Sequence, residues 1–421
     1  MAYFKEKKAY LLITAIAFSL GLSIFTYAQS KKPYDVTIVG TIAQESLPKV
    51  CGLFIQKLHE QCSINFIPTG YCNFDDFSPI VRSIAENPDK SPGKVAFLVD
   101  NLWCLDFNPS ALVPNSPIKI AYSLIESTKL PPQWVSILNN QFDAVAVSDP
   151  YLVDVYINSG VRIPVFLLPI ALDLNPFLDL PSKTKANNPF TFGISGAFWP
   201  RKNHYQTLLA FDQEFHNNPN VRLIIHGRGG NAPIINQIQS YIAEHQINNV
   251  YFLCGKLTDY QFKEYLNLLD AYVLASTAEG FSISPREAMA RGIPCILSNN
   301  TAHITLCNSG FVKSIKADIP ERADYLNSFG DVDFGFQFNC TVADIAQSMR
   351  DVYLNYKDYL IKAQAAREWV KQYSYDNLQQ KFLTLVKPKK VIFGTENRLE
   401  NDYLITNDLS LYQKYSKLLN Q

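Results

Sequence analysis

The sequence predicts an α/β chain of two doubly wound parallel-sheet domains facing a cleft, preceded by an apolar segment at the N-terminus. Three observations predict it. At 421 residues the chain is longer than one ordinary hydrophobic core organises. Short apolar runs bounded by turn residues alternate with stretches of helical periodicity, the pattern of a parallel sheet covered by helices on both faces. That rhythm breaks over residues 173–189, where Pro, Asp, Asn and Lys accumulate, and then restarts.

In chain order, Lys5, Lys7 and Lys8 precede a charge-free run from Ala9 to Ala28. Residues 1–30 therefore read as a signal peptide or signal-anchor helix, with Thr26-Tyr27-Ala28 a possible cleavage site before Gln29. The basic flank favours translocation of the chain beyond residue 30, although Lys31 and Lys32 weaken that bias. The expected location is membrane-associated through a single-pass anchor, or exported after cleavage. Residues 34–172 form the first domain. It opens with a strand from Asp35 to Val39 that ends at Gly40, then a helical pattern through Leu47, Val50, Phe54 and Leu58. Apolar runs at Val95 to Val99, Ile118 to Tyr122, Ala144 to Val147 and Val165 to Leu168 supply further strands.

After the linker at 173–189, the second domain spans 190–350. Its strands fall at Phe190 to Ile194, Val221 to His226, Val250 to Cys254, Ala271 to Ala275 and Pro294 to Leu297, separated by helical stretches. Helical periodicity continues from Val342 to Val386, so residues 351–386 read as C-terminal helices. The remainder, 387–421, reads as a polar tail with no recognisable motif.

Composition narrows the function. Lys plus Arg and Asp plus Glu both number 38, so no basic footprint for nucleic acid stands out. A hydrophobic fraction of 47% is enough for extensive cores and excludes a wholly disordered chain. The 8 cysteines show no CxxC or Cys/His metal spacing, and Cys254 and Cys295 lie in apolar runs as small hydrophobes, so no obligatory disulfide framework is expected. Two sequons, Asn299-Asn300-Thr301 and Asn339-Cys340-Thr341, identify no compartment.

The most informative stretch runs from Ser276 to Pro294 and contains Glu279, Gly280, Phe281, Ser282, Ile283 and Glu287. Its strand delivers Glu279 to the carboxyl edge of a sheet, where open α/β sheets bind ligands. The backbone N–H groups of Gly280 to Ile283 then face outward at a helix start, suited to an anion such as a diphosphate. Glu287, one turn into that helix, is placed to accept hydrogen bonds from a diol. Taken as two glutamates alone, the pair is equally a helix start stabilised through its dipole. The full string, however, closely resembles the E-G-F-G-x-x-x-x-E-A-M-A-x-G-x-P signature of the group 1, or family 4, retaining glycosyltransferases. That resemblance implies a GT-B fold of two Rossmann-like domains. It also implies that Glu279 contacts the transferred sugar, the loop amides of Gly280 to Ile283 hold the diphosphate, and Glu287 binds the ribose. Ser282 stands where the family has glycine.

Further blocks extend the resemblance over most of 34–386, which implies that the C-terminal helices, 351–386, cross back to the first domain. Gly196-Ala-Phe-Trp-Pro-Arg201-Lys202 resembles the family's G-R-L-x-x-x-K-G turn, in which Arg and Lys neutralise the departing diphosphate. Lys202 matches the lysine, Ala197 occupies the arginine position, and Arg201 or Arg228 is a candidate substitute. His226-Gly227-Arg228 is similar to the G-x-G turn near the donor, and a tight turn explains its glycines equally well. Cys254 to Thr258 lies where relatives pass the base. In the first domain, Ile120 to Trp134 resembles a variant with Glu after the strand and a P-x-x-W turn, making Glu126 the candidate for orienting the acceptor hydroxyl. A structural role for Glu126 stays open. Gly40 is the acceptor-side backbone position. Pro169-Ile-Ala-Leu-Asp173 departs from the family's P-H-G-V-D.

The resemblance implies transfer of a hexosyl group from a nucleoside-diphosphate sugar to an acceptor hydroxyl with retained configuration. The acceptor would be a carbohydrate or a lipid-linked or protein-linked glycan. The nucleotide sugar is a co-substrate, no cofactor is implied, and no metal is expected: Asp75-Asp76 lacks the strand-end context of a metal-binding acidic pair. A sugar-nucleotide epimerase of the same fold, or a sugar-binding protein with a decayed site, remain the alternatives.

Overall fold

The computed structural model describes residues 34–421 apart from 44, 45, 76, 88 and 90. The expected signal or anchor segment, 1–30, lies outside the described residues. Among those described, no helix is long and apolar enough to cross a membrane.

The first sheet contains β1 (Val36–Gly40), β2 (Ile64–Pro68), β3 (Val95–Val99), β4 (Ile118–Tyr122), β5 (Ala144–Val147) and β6 (Val165–Leu167). Its spatial order is β2-β1-β3-β4-β5-β6, with every pairing parallel. The second contains β7 (Phe190–Phe198), β8 (Val221–Gly230), β9 (Val250–Cys254), β10 (Ala271–Leu274), β11 (Cys295–Ser298) and β12 (Lys313–Ile315), ordered β12-β11-β10-β7-β8-β9 and again all parallel. Both orders change direction in the middle of the sheet, which opens a crevice at the carboxyl ends of the central strands. The central strands β1, β3, β5, β10 and β11 are buried along their whole length, as continuous apolar runs require when helices cover both faces.

Sequence periodicity missed β2. Its run Ile-Asn-Phe-Ile-Pro is broken by Asn65, whose buried side chain donates to the carbonyls of Asp89 and Ser91 and accepts from the backbone N–H of Asp89 and Phe66. That asparagine pins the loop entering β3 and is not an exposed turn residue. Also unread were β12 and the antiparallel hairpin β13 (Ile319–Arg322) and β14 (Phe336–Asn339), which is inserted after β12.

The chain crosses back to the first domain near its end. Leu172 exchanges backbone hydrogen bonds with Tyr373 and Tyr375, at 2.9 and 3.0 Å. The following helix, Tyr375–Val386, sets Phe382 against Phe54 of the first domain with ring centroids 4.2 Å apart. Residues 387–421, read from the sequence only as polar, fold into β15 (Lys390–Phe393), β16 (Arg398–Leu399), β17 (Tyr403–Thr406) and a helix, Leu409–Leu419. Leu404, Leu411 and Tyr415 are buried there, Lys414 pairs with Asp143 of the first domain, and the Tyr415 hydroxyl donates to the Leu385 carbonyl.

Phe382→Ala removes a ring that is 1% exposed at the centre of this return packing. It is expected to destabilise the protein by about 3–5 kcal/mol, read from the urea midpoint at unchanged m-value.

Candidate active site between the two domains

The carboxyl ends of the two sheets face each other, and one cleft is lined from both sides. From the first domain come Lys49, Leu124, Glu126 and Ile170; from the second, Gly196, Trp199, Arg201, Lys202, Arg228, Glu279 to Pro285, and Glu287. The residues gathered by the signature are thus brought together in space with Glu126 and Lys202. Gly40 and Gly227 are not among the lining residues. A side chain at Gly40 would meet the Val99 carbonyl at 2.8 Å, and one at Gly227 would meet the Phe198 ring at 2.2 Å. Packing alone requires glycine at both.

Glu279 is the centre of the cleft. It follows β10, is buried, and its Oε1 accepts from Lys202 Nζ at 2.5 Å, the Ser276 hydroxyl at 2.6 Å and Arg201 Nη1 at 3.2 Å. Its backbone N–H donates to the Thr301 hydroxyl at 2.8 Å, which fixes the strand exit. Burial alone would raise the carboxyl pKa, but Lys202 and Arg201 outweigh it and hold Glu279 well below the usual carboxylate range. Burial, reinforced by the neighbouring Arg201 and only partly opposed by Glu279, pushes the Lys202 ammonium down to about 8.

Arg201 links the two glutamates. Its Nη2 donates to Glu126 Oε1 at 2.7 Å, while Nη1 reaches Glu279 and the Ala278 carbonyl. Burial disfavours the guanidinium charge, yet Glu126 and Glu279 more than compensate and raise its pKa. The missing cation at Ala197 is therefore accompanied by a guanidinium from the next turn, beside Lys202. Arg228 also lines the cleft.

The loop after Glu279 is pressed against the first domain. The Ser148 hydroxyl donates to the Gly280 carbonyl at 2.8 Å, and a Cβ on Gly280 would lie 3.0 Å from the Ile125 carbonyl, so glycine permits the approach. Ser282 adopts φ +70, a left-handed conformation that explains the family's glycine here. Its hydroxyl is bonded to His303 Nε2 at 2.7 Å, and His303 Nδ1 lies 3.2 Å from the Ser298 carbonyl. A carbonyl only accepts, so Nδ1 carries the proton and Nε2 accepts from Ser282. Burial pushes His303 down to about 4, which keeps the ring neutral for this role. His226 is held in the same way, between the Ser195 hydroxyl at 2.8 Å and the Gly255 carbonyl at 2.9 Å.

Phe281 lines the cleft but is almost wholly covered by protein. It is buried under the Arg286 guanidinium, 3.6 Å from the ring centroid, and meets Tyr373 edge-on at 5.5 Å. Arg286 is itself fully buried and faces Asp149 of the first domain across 3.6 Å, a charge pair spanning the interface. Glu287 is buried, which raises its pKa; Lys49 of the first domain opposes that shift, whereas Asp259 and Asp173 add to it. Lys49 lies 3.4 Å from Asp259. Among the described residues, no group of His, Cys, Asp and Glu is arranged to hold a metal.

Sequence reasoning missed Lys49, Tyr325 and Gln337 as parts of this site. Tyr325 donates to Glu126 from a position 199 residues later in the chain, inside an insertion without helix or strand periodicity, and no local signal marks it.

This geometry is a two-domain GT-B arrangement with a cleft between the sheets, and comparison with known proteins agrees on the fold. Residues 178–315 match the model of the family "Glycosyl transferases group 1". An Escherichia coli UDP-Gal:alpha-D-GlcNAc-diphosphoundecaprenol alpha-1,3-galactosyltransferase is 26% identical over 208 residues, which are 44% of this chain and 50% of that relative, so the match spans half the relative's length. Among solved structures, Anabaena HepE in complex with UDP and glucose superposes with a TM-score of 0.59 at 12% identity, covering 83% of this chain and 99% of the other. A glycosyltransferase from Rickettsia africae gives 0.60 at 14% identity, covering 85% and 98%. At such identities the structural likeness establishes the fold. Together with the family match it supports a group 1 glycosyltransferase.

Arg286→Met leaves Asp149 buried without its counter-charge and is expected to destabilise by about 3–5 kcal/mol. Adding Asp149→Asn, which keeps the oxygen that caps the helix Pro150–Asn158, is expected to recover part of that loss in the same urea titration.

Proposed function

We propose that this chain is a retaining glycosyltransferase of family 4 that moves a hexosyl group from a nucleoside-diphosphate sugar to an acceptor hydroxyl in the interdomain cleft. The observation that carries the reading is the Glu279 carboxylate at the end of β10, gripped by Lys202 and Arg201 beside the Gly280-to-Ile283 loop. The donor is a UDP-hexose: HepE is solved with UDP-glucose, and the E. coli relative is named for UDP-Gal. The acceptor is a lipid-linked glycan, in keeping with the diphosphoundecaprenol in that relative's name. Residues 1–30 hold the enzyme at the membrane that carries it.

In this reading the diphosphate lies against the loop amides and the Lys202 ammonium, with the ribose at Glu287. The bond from the anomeric carbon to phosphate oxygen breaks as negative charge grows on the diphosphate, and buried cations aimed at that charge lower the barrier without a metal ion. The acceptor oxygen bonds to the same carbon from the same face. Glu279, held ionised by two cations, is a poor base, so the acceptor proton leaves with the departing phosphate oxygen.

Nucleotide release from a panel of UDP-, GDP- and ADP-sugars tests this, and UDP-sugar-selective release is expected. Lys202→Ala is expected to lower kcat/KM by about 100-fold or more, as loss of a fixed charge-stabilising donor does elsewhere. Release by wild type that is independent of Glu279 and Lys202 would overturn the assignment. An isomerised nucleotide sugar formed without acceptor would identify an epimerase.

The Lys202 ammonium also sets a pH dependence. Its folded pKa of about 8 lies below the ordinary lysine value of 10.5, so the charge is present well below that pH, half lost at it and gone well above it. Donor kcat/KM is expected to fall with rising pH above about 8, and Lys202→Arg is expected to abolish that fall. For stability the sign is reversed: the buried ammonium disfavours folding below about 8, and that penalty is relieved as pH climbs towards 10.5.

A further inference from the structure

Glu126 belongs to the first domain, yet each side chain bonded to it belongs to the second. Arg201 Nη2 donates to Oε1 at 2.7 Å. The Tyr325 hydroxyl lies 3.2 Å from Oε2 and 3.0 Å from the Glu126 carbonyl, so its single proton is shared between them. Gln337 Nε2 donates to the same carbonyl at 3.2 Å. Gln337 Oε1 in turn accepts from the Thr277 hydroxyl at 3.1 Å, and the Thr277 N–H donates to the Arg201 carbonyl at 2.8 Å. Tyr325, Gln337, Thr277 and Arg201 thus form one connected frame that runs from Glu126 to Glu279.

Tyr325 is carried by the insertion bounded by β13 and β14, which lies on the first domain. Thr128 N–H donates to the Phe336 carbonyl at 3.1 Å, and Phe336 N–H donates to the Thr128 hydroxyl at 2.8 Å. Phe329 and Phe334 meet the buried Trp134 edge-on at 5.5 and 6.4 Å, and Tyr325 stands against Phe334 at 4.7 Å. Buried aromatic contacts of this kind make the seating firm. The Tyr325 ring serves that packing, but its hydroxyl is spent on Glu126.

A carboxylate on a side chain with three rotatable bonds points nowhere in particular unless it is held. Two held oxygens leave the Glu126 carboxylate in one orientation, with lone pairs still free towards the cleft it lines. We propose that Tyr325 is a positioning residue for transfer: its hydroxyl, with the Arg201 guanidinium, fixes Glu126 towards the cleft, so that the acceptor-side carboxylate is assembled only when the insertion is seated on the first domain. This rests on the transferase reading given above.

The test uses the full chain with Tyr325→Phe, Glu126→Gln and the double variant. Tyr325→Phe keeps the ring and its packing. It is expected to lower kcat about 10-fold, within what misplacing a reacting group can do, while leaving the donor KM nearly unchanged. In the Glu126→Gln background the same change is expected to cause no further loss, because Tyr325 acts through Glu126. A purely structural tyrosine would instead lower the melting temperature and leave kcat intact, or add its loss in full to that of Glu126→Gln; either result overturns the proposal. The melting temperatures of the four proteins form a second cycle that needs no substrate, and non-additive shifts are expected. Strictly additive shifts overturn the Tyr325–Glu126 coupling whatever the turnover, whereas a wild type that releases nucleotide from no donor sinks the transferase reading and leaves the melting cycle to decide the coupling.

Discussion

Two cations meet on one oxygen of a buried carboxylate, and the arrangement of the cleft follows from that contact. Glu279 sits where burial alone would neutralise it; Lys202 and Arg201 keep it charged. Burial, with the neighbouring Arg201 charge added to it, leaves the lysine weakly basic. A second anion arriving at this point would therefore be welcomed by charges already fixed in place, with no reorganisation of water. Glu126 balances the set in the absence of such an anion, and it comes from the opposite domain. The electrostatics of the cleft accordingly depend on how the two domains are seated.

The seating is built from contacts of different kinds. Gly280 lets the loop approach the Ile125 carbonyl, the Asp149–Arg286 pair spans the buried interface, and Lys49 enters the acidic surroundings of Glu287. The insertion around β13 and β14 places aromatic rings against Trp134. Each contact lies close to a residue that faces the cleft, so the packing that joins the domains also sets the positions of the polar groups.

Much of this was legible in the sequence because parallel sheets announce themselves as uninterrupted apolar runs, and because the string from Glu279 to Pro294 resembles a known family signature over its whole length. Two glutamates alone would not have marked the site, and the strands that flank it were legible from their apolar runs. The first sheet hid β2, because a buried asparagine interrupts its apolar run. Ser282 stood at a left-handed position that the sequence pattern assigns to glycine, and only the structure shows the His303 bond that accompanies it. Gly40 and Gly227 were assigned near ligands, yet close packing explains both. Tyr325, Gln337 and Lys49 carry no local signature; their significance arises from contacts between segments far apart along the chain, which periodicity does not report.

The last helix has a consequence of timing. Lys387 reaches Asp35, and Lys414 reaches Asp143, so residues near the end of the chain complete the surface of the domain made at its beginning. A ribosome delivers the first sheet long before these partners exist, and domains generally fold as they emerge. Here the flank later covered by Tyr415 and Phe382 stays open until residues 375–419 have been synthesised. The first domain is thus completed by segments made more than 200 residues after its own last strand.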